Sequence, residues 1–494
     1  MSLDVSLYHP DVRVKLFKTI GRTTVDGQTP VSQRVLDTNK TIDLTPFLGE
    51  SGQLTCSKSV REAAGAFSIT LADSPYVQPG AFESLYGLVE PMDLVEIRMR
   101  HNPPNSGSSS ATTPPVYMRG FVTEVERNET ITPDGKPQRS VTISGQDYGK
   151  LWQMLQIKYY PGYVIGENCI SGFKLFERFG IGFKTTLSAA EFVNQVLDAI
   201  VTPFLQSLMP ANTPNPATIK SDITVLHGVV DVGGVQNQQG TIYNLLSYFG
   251  DVGAWNELYL EDREDGVYCV YRPKPYKDLN GNVIQSDAAE LTPITVKGKD
   301  VLLLNVKRTD ANVANYYWVR APKFEMADDI YRQQFALQKD DQPSVILDQY
   351  PNAAAQFYGM RLMETETQQG GDDVTTMNSG QDEATQDSRN TSMANWVTDR
   401  RKILAAQNRD NVLYESGTAR VRADERIKPG SYVRIVRGSF SAVYYVPMVD
   451  LNFVPYQGLF QTLHLERGTG FIERVTSGAG AQSPYLAELT GIGK

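Results

Sequence analysis

Residues 117–155 constrain the fold of this chain most, because they encode a hairpin that leads directly into a helix. The alternation of apolar and polar residues around Phe121 and Val125 is typical of a half-buried strand. Asp134 and Gly135 form a pair that tolerates positive φ, so the chain can reverse its direction there. The stretch therefore predicts two antiparallel strands joined by a tight turn.

The second strand of this hairpin is followed at once by the predicted helix. Val141 and Ile143 share one face of the strand, and Gly145 is predicted to break it. Asp147 is placed to act as the N-cap of a helix that begins with residues 148–152. No catalytic pattern is present among these residues, so the whole stretch is interpreted as architecture.

Several segments, taken in order, resemble the baseplate hub proteins of contractile-tailed phages, which are related to late control protein D and to the N-terminal part of VgrG. The RGFV strand of that family matches residues 119–122, and its strand-to-helix corner matches SGQDYGK at residues 144–150. Residues 52–73 and 92–100 resemble the strands that precede this hairpin, and residues 417–468 resemble the second barrel of the family. The resemblance covers both ends of the chain and little of its middle.

This resemblance implies an α+β fold that is mainly β, with two tube-like antiparallel β-barrel domains and an inserted α+β middle domain. It also implies a structural baseplate hub, in which a trimeric ring joins the sixfold tail tube to the threefold central spike. Three chains with two barrels each present six barrels, which matches both symmetries. Residues 145–150 and 429–430 are expected to form corners of the two barrels.

The implied partners are further copies of the chain in a homotrimer, the tail tube protein, the central spike protein, other baseplate proteins and the tape-measure protein. Viral DNA is expected to pass through the ring without specific binding, because a net charge of −9 and a pI near 5.2 disfavour phosphate contacts. The implied location is the tail baseplate of the virion, after synthesis in the host cytoplasm. The N-terminal sequence is not that of a signal peptide, and no apolar run is long enough to predict a membrane span.

A chain of 494 residues is too long for one core, and composition and alternation divide it into five regions. The predicted regions are a first tube-like barrel at residues 1–155, a middle α+β domain at 156–290, a second barrel formed by 291–323 with 411–475, an insertion at 324–410 and an extended tail at 476–494. A loop rich in proline and serine at 102–115 is predicted to interrupt the first barrel.

The middle domain is predicted to contain helices and hairpins. A capping box formed by Ser188 and Glu191 opens an amphipathic helix, which Pro203 is predicted to end or kink. A second helix is predicted over residues 241–249. Hairpin turns are predicted at residues 265–266 and 280–281, where Asp-Gly and Asn-Gly pairs occur.

The insertion contains an acidic segment at residues 364–390, which is nearly free of apolar residues. It is interpreted as a solvated loop or as a segment that a partner orders. A helix is predicted at residues 391–407, and its expected buried residues are Trp396, Val397, Ile403 and Leu404. Strands on both sides of the insertion are predicted to pair with each other.

The residues that could carry chemistry do not form a recognisable site. The four histidines, His9, His101, His227 and His464, lack metal-ligand spacing, and the pair Cys169 and His227 lacks a hydrolase signature. The three cysteines are far apart, with no C-x-x-C pair, which argues against a disulfide scaffold and against a zinc site. Incomplete matches to a P-loop at 180–185 and to a calcium loop at 276–287 lack essential residues. Acidic pairs, among them Glu261 and Asp262, are many, and because most fall in predicted turns or loops they are interpreted as solvated.

The sequence therefore predicts no catalytic, cofactor-binding or metal-binding residues, and no cofactor, and the chain is interpreted as a protein that is not an enzyme. Two alternatives remain open. One is a peptidoglycan hydrolase associated with the tail, which would need a compact domain with its own catalytic signature. The other is a receptor-binding tail module, a function that the content of 25 tyrosines permits.

Overall fold

The computed structural model describes residues 10–24, 32–36, 41–49, 52–73, 84–101, 113–131, 133, 135, 137–157, 186–209, 215–231, 240–320, 350–371, 383–437 and 440–470. Within them the protein is mainly β, and most strands belong to one sheet of 13 strands with chiefly antiparallel pairing. The predicted fold class, α+β and mainly β, is confirmed. The five predicted domain boundaries remain predictions.

The N-terminal third supplies one half of this sheet. Its strands are β1 (Asp11–Phe17), β2 (Ile20–Thr24), β3 (Ser32–Leu36), β4 (Thr41–Asp43), β5 (Gln53–Ser59), β6 (Ala66–Ala72), β7 (Leu94–Arg100), β8 (Val116–Ile131) and β9 (Pro137–Asp147). Its helices are α1 (Leu85–Leu88), α2 (Gly149–Met154) and the 3-10 turn Thr45–Phe47. We call the antiparallel run β5-β6-β9-β8-β7-β1-β4 the first half-sheet.

The middle of the chain folds into helices packed on short sheets. Its strands are β10 (Gln156–Ile157), β11 (Thr186–Ser188), β12 (Ile219–Ile223), β13 (Val229–Asp231), β14 (Gly240–Thr241), β15 (Asn256–Arg263) and β16 (Gly266–Pro273). Its helical segments are α3 (Ala189–Val196), the π-helical turn Leu197–Val201, α4 (Thr202–Leu208) and α5 (Ile242–Phe249). β15 and β16 form an antiparallel hairpin, and β12 pairs with β16 in parallel.

The C-terminal part supplies the second half of the large sheet. Its strands are β17 (Ile294–Lys297), β18 (Val301–Lys307), β19 (Tyr316–Arg320), β20 (Leu362–Glu366), β21 (Gln369–Gly370), β22 (Glu415–Arg422), β23 (Ser431–Arg437), β24 (Phe440–Val454) and β25 (Gly458–Gly468). Its helices are α6 (Ala355–Tyr358), α7 (Glu383–Asn408) and the 3-10 turns Gly298–Asp300 and Pro351–Ala353. We call the run β17-β23-β24-β25-β22-β18 the second half-sheet.

One long strand belongs to both half-sheets. The first part of β24 pairs with β23, and its second part pairs with β5, where Met448 lies opposite Ser59 and Phe453 opposite Leu54. We call the β24–β5 pairing the seam. Ala423, Leu451 and Leu459 from the second half pack into the core of the first half-sheet. The hydrogen-bonded order of the described strands ends at β4, β17 and β18, and so neither half closes into a barrel by backbone pairing within this part of the chain.

Several local predictions are confirmed. Gly135, Gly281 and Gly430 have φ of 78°, 87° and 80°, as the turns at these positions require. The Ser188 capping box is present, and the helix over Ile242–Phe249 has Thr241 as its N-cap. β17 and β18 pair with β23 and β22, whereas β19 pairs with β20 in a separate sheet.

Other local predictions are corrected. The helix that begins at Ala189 continues beyond Pro203, because the π-helical turn widens the backbone and Pro203 lies in the first turn of α4. Gly145 does not break its strand, which runs on to Asp147. Part of the acidic segment is ordered and buried at Thr367 and Gln369, and α7 begins at Glu383. Within α7, Val397 and Leu404 are buried, and Trp396 and Ile403 are half-buried.

Candidate functional site at the charged junction

The β15–β16 hairpin lies against the first half-sheet through a group of buried charged side chains. The group consists of Lys58 on β5, Glu96 on β7, Arg119 on β8, Asp147 on β9 and Asp262 on β15, and each is at most 7% exposed. We call this group the charged junction. Charged side chains are seldom buried so deeply unless they are paired. The charged junction brings four strands of the sheet together with one strand of the middle region.

Arg119, which is the arginine of the RGFV match, holds the hairpin from the side of the sheet. Its Nε donates to Glu96 Oε2 at 3.1 Å, and its Nη1 donates to the carbonyl oxygen of Arg263 at 2.9 Å. Its backbone N–H also donates to Asp262 Oδ1 at 3.2 Å. The planar guanidinium thus links one strand of the sheet to the turn between β15 and β16.

Lys58 lies between two carboxylates at the centre of the junction. Its Nζ contacts Asp262 Oδ2 and lies 3.9 Å from Asp147 Oδ2. Burial raises the pKa of Asp147 to about 6, although the Lys58 charge acts in the opposite direction. Burial opposes the charge on Lys58, but Asp262 and Asp147 outweigh it, so the pKa of Lys58 is raised.

The residues of the SGQDYGK match fix the corner at which the sheet turns into α2. Asp147 Oδ1 accepts a hydrogen bond from the Gly149 N–H at 2.9 Å, and the Tyr148 hydroxyl donates to the Pro216 carbonyl oxygen at 3.0 Å. Lys150 Nζ donates to the Val122 carbonyl oxygen at 3.1 Å. Asp147 therefore caps the helix as predicted, but from the last position of the strand and not from the N-cap residue, which is Tyr148.

Gly145 is required for close packing and not for a turn. A Cβ at this position would lie 2.3 Å from the Phe121 carbonyl oxygen and 2.3 Å from Phe67 Cζ. Backbone and aromatic ring therefore occupy the space that any side chain would need. The sequence pattern correctly indicates a constraint at Gly145, but the predicted reason, a break in the strand, is wrong.

The middle region also contacts the second half-sheet through charged and aromatic side chains. Arg272 Nε donates to Glu257 Oε2 at 3.0 Å, and its Nη2 donates to the Gly430 carbonyl oxygen at 2.8 Å. The Tyr445 hydroxyl donates to the other oxygen of Glu257. Tyr445 also packs against Tyr432, with ring centroids 5.3 Å apart. The hairpin is therefore anchored to both half-sheets.

Asp251 connects the middle region to the segment around β21. Its Oδ1 accepts from the Gln368 N–H at 2.7 Å, and its Oδ2 accepts from the Thr367 hydroxyl at 2.5 Å. Burial raises the pKa of Asp251 to about 6, despite these two hydrogen bonds. This contact explains why residues 367–369 are ordered although their composition predicted a solvated or disordered segment.

The residues considered for catalysis take other places. Burial raises the pKa of both described thiols, that of Cys269 to about 12 and that of Cys56 further, which disfavours thiolate chemistry. His464 Nε2 pairs with Asp450 Oδ2 at 2.8 Å. His9 and Cys169 lie outside the described residues, and so the pair of Cys169 with His227 is not tested.

His101 Nδ1 lies 2.5 Å from Glu425 Oε2, beside Asp424, and the ligand atoms of these three residues lie within 4.8 Å of one another. The carboxylate of Asp424 is held by Arg426, whose Nε lies 2.9 Å and 3.2 Å from its two oxygens. A cation here would therefore compete with a guanidinium. The sequence predicts no catalytic, cofactor-binding or metal-binding residues, and this stays a prediction.

The charged junction itself was missed by sequence reasoning. The acidic pairs are predicted to be solvated, but Glu261 and Asp262 lie on β15, and Asp262 is buried. The available signal was the presence of single charges within otherwise apolar strands, such as Glu96 in LVEIRMR. Such a charge predicts a buried partner but does not identify it. Among the helices that the structure describes, none is both long and apolar enough to cross a membrane.

Comparison with known proteins gives a likeness in structure alone. No protein-family model matches the chain, and no curated protein matches it in sequence. The 43 kDa tail protein of prophage MuSo2 from Shewanella oneidensis is 11% identical, with a TM-score of 0.43 over 92% of this chain and 98% of the other. The tail protein from Neisseria meningitidis MC58 is 11% identical, with a TM-score of 0.40 over 93% and 97%.

A third neighbour is the E. coli c3393 protein, a component of the type VI secretion system, at 8% identity and a TM-score of 0.33 over 84% of this chain and 72% of the other. These neighbours are phage tail proteins and a secretion-system component that is structurally similar to phage tail proteins, which is the class that the sequence motifs indicated. At such identities and TM-scores the likeness transfers no function, partner or residue role.

Proposed function

We propose that this chain is a structural hub of a contractile tail baseplate, in which three copies form a ring between the tail tube and the central spike. The observation that carries the proposal is the structural use of the residues matched to the hub family. Arg119 holds the middle hairpin on the sheet, and Asp147 to Lys150 form the corner between sheet and α2. The matched residues thus act as architecture.

The continuous sheet supports the ring. Each copy contributes two half-sheets joined at the seam, so three copies bring six half-sheets to a sixfold tube. The described sheet ends at open strands, and one of them, β18, exposes Leu302 and Leu303 at 51% and 58%. An apolar open edge of this kind pairs readily with another chain, so we place a contact between copies there.

The proposal includes the partners and location that the resemblance implied: tail tube protein, spike protein, further baseplate proteins, the tape-measure protein, passing DNA and the virion. It also states that the chain is not an enzyme. The titratable groups of the charged junction are consumed in mutual pairing and in hydrogen bonds to backbone, which is typical of a structural network.

Native mass spectrometry of the purified chain tests the proposal. The expected result is a species of three times the chain mass of 54.8 kDa, either for the chain alone or after expression together with the spike protein. A monomer under both conditions would contradict it. Cleavage of peptidoglycan in a gel assay by the isolated chain would favour the hydrolase alternative instead.

A further inference from the structure

The centre of the charged junction brings one amine and two carboxylates together without the exposure that ordinary ion pairs have. Lys58 contacts Asp262, and Asp147 Oδ2 lies 3.9 Å from the same nitrogen. We propose that Lys58 and Asp262 become joined by an amide bond between Nζ and Cγ, with Asp147 carrying the proton. The link would fasten the middle hairpin to the sheet covalently.

The geometry favours this reaction because the reacting groups are held on different strands. Lys58 lies on β5 and Asp262 on β15, and both strands are fixed by their own backbone pairing. Because Lys58 Nζ contacts Asp262 Oδ2, the carbon that it attacks lies one C–O bond beyond the contacted oxygen. Intramolecular reactions whose groups are held in the right orientation reach effective concentrations on the order of 10⁵ M or more.

The reaction balances without any further reagent. The Lys58 ammonium gives one proton to Asp147, and its free electron pair forms a bond to Cγ of Asp262. The bond from Cγ to one oxygen of Asp262 then breaks. That oxygen leaves as water, after it has taken one proton back from Asp147 and a second proton from the Lys58 nitrogen. An ammonium and a carboxylate thus become a neutral amide and one water, and Asp147 ends as it began.

The surroundings favour the neutral product. Taking a carboxylate and an ammonium out of water costs several kcal/mol for each ion, and the amide removes both charges. A cavity of about 30 Å³ lies against Lys58, Asp147 and Asp262, and it is large enough for the water that leaves.

Asp147 is fitted to carry a proton in this position. Its Oδ1 is held by the Gly149 N–H at 2.9 Å, which leaves Oδ2 directed toward Lys58. Burial raises its pKa to about 6, which makes it a better proton acceptor than an exposed aspartate. The two carboxylates also raise the pKa of Lys58, so this proton transfer is the demanding step of the reaction.

A second buried pair in the chain serves as an internal control. Lys18 Nζ lies 2.5 Å from Asp93 Oδ2 but also donates to the Leu88 carbonyl oxygen at 2.7 Å. Burial raises the pKa of Asp93, but its carboxylate accepts two backbone N–H bonds, from Thr19 at 3.0 Å and Glu90 at 2.8 Å, which favour its charged form. Asp262 accepts one, from Arg119 at 3.2 Å. We therefore expect this pair to stay an ion pair.

Intact-mass spectrometry of the full chain under denaturing conditions tests the link. The wild type is expected to be lighter than its sequence by one water, and a peptide digest should contain a branched peptide that joins Lys58 to Asp262. Peptides with Lys18 and Asp93 should appear unlinked. A wild type at its full sequence mass, with Lys58 and Asp262 in separate peptides, overturns the proposal.

Variants separate the chemistry from the fold. Lys58→Arg keeps the charge but cannot form the amide, so it should retain its full mass. Asp262→Asn would lose ammonia and reach the same final mass as the linked wild type. Asp147→Asn should fold, as judged by circular dichroism, and remain unlinked, whereas Asp147→Glu should restore linkage in part. If Asp147→Asn were linked as fully as the wild type, Asp147 would have no part in the reaction, contrary to the proposal.

Discussion

The seam and the charged junction both connect distant parts of the chain, but they do so by different physical means. At the seam, β24 and β5 exchange backbone hydrogen bonds, and Leu451 and Cys56 lie opposite each other with almost no exposure. At the charged junction, the contact consists of side-chain charges that are buried and paired one by one. Backbone hydrogen bonds hold the seam together, whereas ion pairs between individual side chains hold the charged junction together.

This difference teaches which changes each contact tolerates. A backbone ladder survives the exchange of side chains as long as the core remains filled, because its hydrogen bonds do not depend on them. A buried charge that loses its partner stays buried and unpaired, and the desolvation penalty remains in full. We therefore expect the seam to respond to lost volume and the junction to lost charge.

The largest effect is expected from Gly145→Val, which acts on the sheet itself. The added Cβ would overlap backbone and the Phe67 ring, so the strands β6, β8 and β9 must separate. We expect a loss of about 3 kcal/mol or more in the free energy of unfolding, with failure to yield soluble protein. Soluble expression and urea unfolding measure this.

The control for that change is Gly87→Val, at a glycine where a Cβ meets nothing within 4 Å. It should express and unfold like the wild type within about 0.5 kcal/mol. A Gly145→Val protein as stable as this control would show that the strands can move apart, contrary to the packing described.

The next largest effect is expected from Arg119→Met at the charged junction. The change removes the guanidinium charge beside Glu96 and Asp262, and it removes the donors to the Arg263 and Glu264 carbonyl oxygens. The backbone N–H bond from residue 119 to Asp262 remains. We expect a loss of about 3 kcal/mol in the free energy of unfolding and faster hydrogen exchange in the hairpin. Arg127→Met, at an arginine that is 37% exposed, should change stability by less than about 0.5 kcal/mol. Similar values for both variants would argue against a special role of burial.

A comparable or slightly smaller effect is expected from Leu451→Ala at the seam. Leu451 is 1% exposed and packs into the first-half core from the second half. Its truncation should lower the free energy of unfolding by about 2–3 kcal/mol without changing the slope of stability against salt. Leu226→Ala, at a position 72% exposed, is the control and should be nearly neutral. A strong salt dependence for Leu451→Ala would place charge at the seam as well.

The smallest expected effect is a pH dependence of the free energy of unfolding that Asp251 causes. It tests how a buried charge responds when it is titrated and not removed. Its folded pKa of about 6 lies above the ordinary value of about 3.9, so its stabilising contribution is complete below about pH 4 and is lost as the pH rises through 6. The wild type should thus lose about 2 kcal/mol relative to Asp251→Asn between about pH 4 and pH 7. Asparagine also tolerates the left-handed backbone, with φ of 51°, at this position.

Urea unfolding at several pH values measures this difference. Asp399→Asn, at an exposed carboxylate on α7, is the matched control and should follow the wild-type curve. Parallel curves for the wild type and Asp251→Asn would mean that the buried carboxylate titrates like an exposed one.

The parts of the fold that follow from neighbouring residues could be predicted from the sequence. The turns at Gly135 and Gly281 and the capping box at Ser188 depend on a few adjacent residues, whose conformational preferences are local. The pairing of β18 with β22 was predicted as well, because alternating segments flank the insertion on both sides.

The candidate site could not be predicted in the same way. Lys58 and Asp262 are 204 residues apart, and the partner of a buried charge is chosen by the tertiary fold and not by its neighbours. The same holds for Asp251 and Thr367, whose contact orders a segment that composition alone predicts to be solvated. Gly145 lies between these two cases. A glycine at this position indicates a constraint, but only the tertiary packing shows that the constraint is the lack of space for a side chain.

The sharing of β24 also determines how the molecule carries mechanical load. Hydrogen bonds between antiparallel strands lie across the strand direction. A pull along β24 therefore shears its bonds to β23, β25 and β5 together, whereas a pull across the strands opens them one after another. Because one unbroken backbone serves both half-sheets, a force that enters either half reaches the other without passing through a hinge. The sheet is stiff along this strand and weakest across it.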